Sequence, residues 1–70
     1  MLWWFERDGQ HRMIEVLQLA TDAYELQFVD DAGVEQVERF ADSLDLAKRQ
    51  AEIEKRLIDQ GWLRAGDWLL

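Results

Sequence analysis

The chain contains neither cysteine nor proline. Without cysteine there is no disulfide framework and no thiolate metal site. Without proline there is no proline-rich linker, and no low-complexity stretch or internal repeat takes its place. Basic residues are also scarce, eight against fifteen acids, which leaves a net charge of −7. Such a charge repels nucleic acid and anionic membranes at long range. No apolar run approaches the roughly 18 residues that a membrane-spanning helix needs. The start, Met1-Leu2-Trp3-Trp4-Phe5, lacks the basic region and the length of a signal peptide. A cytoplasmic, bacterial-type protein is therefore expected, with neither membrane nor nucleic acid as its natural partner.

Groups for nucleophilic chemistry are equally few: one serine, one threonine, one tyrosine and one histidine. Ser43 sits where a helix cap belongs and His11 opens a strand, so nothing in their spacing suggests a catalytic triad. His11 has no second histidine to join it on zinc. Asp30-Asp31-Ala32-Gly33 lacks the alternating oxygen ligands and terminal glutamate of a calcium loop, and reads as a solvated turn. The expectation is a non-enzymatic protein with no cofactor and no metal.

What the chain does have is apolar bulk. It is 49% hydrophobic, with four tryptophans in 70 residues, too apolar to stay unfolded. Seventy residues make one domain, residues 1–70. A domain of that size buries only about 60% of the surface that its unfolded chain exposes, and small folds without staples often gain stability by oligomerising.

The pattern along the chain predicts an α+β fold: a four-stranded antiparallel β-meander, one long amphipathic helix, and a short apolar C-terminal tail. Leu2 to Arg7 is the first strand. Asp8-Gly9 then marks a type I′ hairpin turn, which needs positive φ at both central positions. His11 to Leu19 is the second strand, its imperfect alternation suggesting a bulge or cover on both faces. After a turn at Ala20-Thr21-Asp22-Ala23, Tyr24, Leu26 and Phe28 alternate with Glu25 and Gln27 in the third strand. Gly33 can take the left-handed conformation that closes the next hairpin. Val34 to Phe40, short and charged, suits a sheet edge. Asp42 or Ser43 caps a helix that runs to about Gln60, where Gly61 is placed to end it.

Two apolar stripes run along that helix at 100° per residue. Leu44, Ala47, Ala51 and Ile58 form one, whose alanines would allow close approach to the sheet. Leu46, Ile53 and Leu57 form the other, read here as the margin of a broad buried face or as a contact for another chain. Asp45–Arg49, Lys48–Glu52 and Glu52–Arg56 are spaced as i,i+4 ion pairs. The first strand poses the same question of surplus, with Leu2 and Trp4 on one face and Trp3 and Phe5 on the other. One helix covers one sheet face, and monomers rarely leave large apolar patches bare. Either the tail, Trp62-Leu63 and Trp68-Leu69-Leu70, folds back over the second face, or a second chain covers it. The leading expectation is a homodimer or an adaptor for another protein. Its interface is drawn from Trp3, Trp4, Trp62, Trp68, Leu46, Ile53 and Leu57, with at least two of the tryptophans in ordinary core.

The strand-strand-strand-strand-helix order is similar to single-stranded DNA-binding folds of the Whirly and transcriptional-coactivator type. That resemblance implies a second reading, base stacking on the open sheet. The charge opposes it, because phosphate contacts dominate such affinity. A third reading follows from the −7 charge: an acidic protein that occupies a basic surface on its partner. The aromatic first strand with Glu6-Arg7-Asp8-Gly9, the Phe40-Ala41-Asp42-Ser43 lead into the helix, and the closing Gly61-Trp62 resemble small uncharacterised bacterial proteins. That resemblance implies a strand-rich single-helix domain and assigns no activity.

Overall fold

A computed structural model describes residues 1–68, the side chains of 67 and 68 excepted. Five strands form one antiparallel sheet: β1 (Leu2–Arg7), β2 (Gln10–Ala20), β3 (Ala23–Val29), β4 (Glu35–Phe40) and β5 (Leu63–Trp68). The helix α1 (Ser43–Asp59) separates β4 from β5. The spatial order is β4-β3-β2-β1-β5. The meander and helix thus have the expected order, but the expected tail is corrected. Its described part adds a fifth strand to the edge of β1, with Leu2 opposite Trp68 and Glu6 opposite Leu63, and Leu69 and Leu70 lie outside the described residues.

Each turn forms for a local reason. Asp8 and Gly9 have φ of 52° and 78°, the pair of positive values that the twist of a two-residue hairpin requires. At the β2–β3 turn the register shifts between Gln18 and Ala20, the bulge that the broken alternation of β2 foreshadows. Asp30 organises the β3–β4 loop. Its carboxylate accepts the backbone N–H of Ala32 and of Val34, each at 2.9 Å, and the side-chain amide of Gln36 at 2.9 Å. These bonds hold its pKa below the ordinary carboxylate range, the Val34 amide contributing most and Gln36 next.

The helix is stopped at both ends by its own sequence. Asp42 accepts the N–H of Leu44 at 2.7 Å, satisfying one of the donors that a helix leaves unpaired at its start. At the other end Trp62 N–H donates to Leu57 O at 2.9 Å and Gly61 N–H donates to Ile58 O at 3.0 Å. This double bond pattern is a Schellman motif, and Gly61 takes the left-handed position that it needs, φ 90°. The motif brings Trp62 back to Leu57, so the end of the helix delivers the largest fully buried side chain of the core.

That core lies between α1 and one sheet face: Trp3, Phe5, Ile14, Leu26, Phe28, Leu46, Ile53, Leu57 and Trp62. The stripe of Leu46, Ile53 and Leu57 therefore faces the sheet, and Leu44, Ala47, Ala51 and Ile58 face solvent, with Leu44 70% and Ile58 57% exposed. This reverses the expected assignment. Long side chains fill the space between helix and sheet, where alanines would leave voids whose lining atoms lose their contacts.

Electrostatic ties follow the same geometry. Arg49 does not pair with Asp45. It forms a two-pronged bond to Glu38 on β4, at 2.9 and 3.1 Å, and a third to Glu52 at 3.2 Å. The Glu38 bond raises the Arg49 pKa further, ahead of that to Glu52. Arg56 turns to Asp31 in the β3–β4 loop, at 3.5 Å, instead of to Glu52. Interelement partners thus draw Arg49 and Arg56 away from the expected pairs along the helix, and Glu52 is met by Arg49 instead.

Candidate docking face

Residues alternate along each strand, so the face opposite the helix is built from the positions between the core residues. Its two central rows follow from the registers. In one, Leu2 lies opposite Glu15, Glu15 opposite Gln27, and Gln27 opposite Val37. In the next, Trp4 lies opposite Met13, and Val29 opposite Glu35. Towards one end of the sheet Glu6 pairs with His11, and towards the other Glu25 faces Leu17 and Arg39. No helix or strand of the described residues covers this face.

The exposure of these side chains is uneven. Met13 and Val37 are 55% and 56% exposed, while Leu2, Trp4, Leu17 and Val29 are half-buried. Trp4 is half-buried because its indole lies over β5. A Cβ at Gly66 would come within 2.8 Å of Trp4 Cζ2, so the absence of a side chain there lets the ring lie flat on the backbone. An aromatic ring over a strand glycine is a recognised way to pin an edge. A shallow groove lined by Met13, Glu15, Gln27, Val29, Glu35 and Val37 runs beside it.

Charge on this face is one-sided. Glu6, Glu15, Glu25 and Glu35 share it with His11 and Arg39. His11 Nε2 stands 2.8 Å from Glu6 Oε1, and Arg39 lies across the ladder from Glu25. Glu15 and Glu35 have no cation beside them among the described residues. Glu25 accepts the side-chain amide of Gln27, at 3.5 Å.

The seven residues expected at an interface divide accordingly. Trp3, Leu46, Ile53, Leu57 and Trp62 are 1–7% exposed and belong to this chain's own core, so they offer no surface to a partner. Trp62 also serves as a floor for two cations, with the guanidinium carbons of Arg7 and Arg12 at 4.7 and 4.9 Å from the centre of its ring. Arg7 in addition donates to the carbonyl of Gln60 at 2.8 Å, tying β1 to the end of the helix. Trp4 alone of the described candidates lies on the open face. Trp68 pairs through its backbone with Leu2; its side chain, with Leu69 and Leu70, lies outside the described residues.

Sequence reasoning missed Met13 and Val37, the two most exposed apolar groups of the central rows. A signal for them existed: Val37 stands off the parity of Val34 and Phe40, and Met13 shares the parity that excludes Ile14. Among the described residues no group of three or more histidines and acids could hold a metal ion. Among the described residues no helix is long and apolar enough to cross a membrane. Comparison with known protein families, curated proteins and solved structures returns no match for this chain.

Proposed function

We propose that this chain is a non-enzymatic protein–protein interaction module that works through the open face of its sheet. The observation that carries the reading is the set of apolar side chains Leu2, Trp4, Met13, Val29 and Val37, with Glu15 and Glu35 among them, on a face that no helix or strand of the described residues covers. Tryptophan and methionine are enriched at protein interfaces, and Trp4 and Met13 stand opposite each other on this face. The exposed stripe on the helix is a weaker candidate. Leu44 and Ile58 stand fourteen positions apart, about 21 Å along the axis, with small alanines between them.

Base stacking on the same face is disfavoured by its charge. Four glutamates and one arginine line it, whereas single-stranded nucleic acid requires a positively charged groove around the aromatics.

A photo-crosslinking side chain placed at position 37, and separately at position 58, tests the reading in the native cell. We expect a defined protein adduct from position 37 and none from position 58. Adducts of equal yield from both, or none from position 37, would refute it.

A further inference from the structure

This inference rests on the reading just given and concerns what the open face receives. Three occupants have the right shape: a second copy, a strand-like segment with acidic or neutral side chains, and one that carries cations. Charge separates them. Two copies stacked face to face would stand about 10 Å apart. Glu15 and Glu35 of each would then enter a drying interface in which each face brings four glutamates against one arginine, Arg39, and one histidine, His11, which already stands 2.8 Å from Glu6. Each chain also carries a net charge of −7. Removing a carboxylate from water without a counter-charge costs several kcal/mol, so this pairing works against itself.

The groove has the opposite complementarity. Met13, Val29 and Val37 form an apolar floor, and Glu15 and Glu35 stand on its walls. Glu15 is already half-buried between Leu2 and Gln27, which line the same row. We propose that this groove receives an arginine or lysine side chain from a partner protein's extended segment, its aliphatic stem on the apolar floor and its cationic head between Glu15 and Glu35. Long basic side chains bury their stems on apolar surface while keeping the head among charges. Arginine is among the residues enriched at interfaces for this reason. The two carboxylates select for such a partner and against acidic ones, including the chain's own twin.

A strand-forming peptide of alternating arginine and valine serves as the probe, titrated into the isotopically labelled chain at low salt. Amide shifts are expected at Met13, Glu15, Gln27 and Val37 and on the Trp4 indole, with none on the outer helix face. The double variant Glu15→Gln, Glu35→Gln is expected to weaken binding at least about tenfold. The charge-matched variant Asp45→Asn, Asp59→Asn, on the helix, should bind as the parent does. Equal weakening in both variants, or shifts spread over the helix, would reduce the effect to bulk charge and overturn the inference. Concentration-dependent shifts of the open face without peptide, with a dimer in sedimentation, would make the second copy its occupant. That result would overturn the cation site while leaving the docking function standing, whereas failed crosslinking from position 37 would remove the docking function itself.

Discussion

The two faces of this sheet are threaded from the same strands, residue by alternating residue, yet they are different materials. On the helix side Trp3, Phe5, Ile14, Leu26 and Phe28 are 0–9% exposed, and every large apolar group finds another. On the far side Met13 and Val37 stay more than half exposed, and glutamates intervene in each row. The first face has the composition of an interior. The second has that of a surface that can be dried only by something bringing its own charges. In a chain of 70 residues with no disulfide, the buried side chains of the first face are expected to supply most of the stability.

The most direct way to break this comparison is to delete a core aromatic. Trp62→Ala or Phe5→Ala should cost about 3–5 kcal/mol. A chain of this length is expected to have only about 4–10 kcal/mol in total, so urea melts should show either variant near the limit of folding. A loss below about 1 kcal/mol would mean that the helix-side face is not the principal source of stability.

Gly66→Ala is expected next in size, at about 1–3 kcal/mol, because the new methyl group would displace the Trp4 ring from β5. The double variant with Trp4→Ala should cost clearly less than the sum of the two single changes, since the clash disappears with the ring. Additive costs in a double-mutant cycle would show that the ring does not pin the edge strand.

The open face should tolerate truncation. Met13→Ala and Val37→Ala should each change stability by less than about 0.5 kcal/mol while removing the adducts formed from neighbouring positions on that face. If either variant destabilised the chain as a core deletion does, the contrast between the faces would fail.

The smallest effect lies in the β3–β4 loop, at Asp30. Hydrogen bonds from the Val34 and Ala32 amides and from Gln36 favour the charged carboxylate. Its folded pKa lies below the ordinary value, so its contribution is fully present above about pH 4. That contribution is lost as the pH falls through the lower, folded value. The protection factors of the Ala32 and Val34 amides should accordingly fall below pH 4, and Asp30→Asn should remove that fall. Unchanged protection across this range would show that the carboxylate does not hold the loop.

Much of this architecture is legible in short stretches of chain. Asp8-Gly9 marks a hairpin wherever it falls between two apolar runs, because few other pairs accept positive φ twice. Tyr24-Glu25-Leu26-Gln27-Phe28 shows its two faces by alternation alone. Asp42 and Gly61 bracket the helix through bonds made within a few residues of themselves. The fifth strand was not legible. Leu63-Arg64-Ala65-Gly66 has little alternation, and its strand character comes from the unpaired edge of β1, with a register shift between Trp4 and Phe5 to fit it. The candidate site was legible only in its existence. That one sheet face would lie open follows from a single helix, but most of the residues assigned to it proved to be core.

Sequence by itself determined the elements: four hairpin-linked strands, one capped helix, and which residues along each strand share a side. Those are local properties of turn chemistry, caps and periodicity, and they act before any distant contact forms. Only the tertiary structure decided which helical stripe turns inward, where the tail pairs, and which partners Arg49 and Arg56 choose. Each of those outcomes is a competition between surfaces far apart in the chain. The winner in each is the arrangement that fills volume and satisfies backbone and charge together, which no single segment encodes.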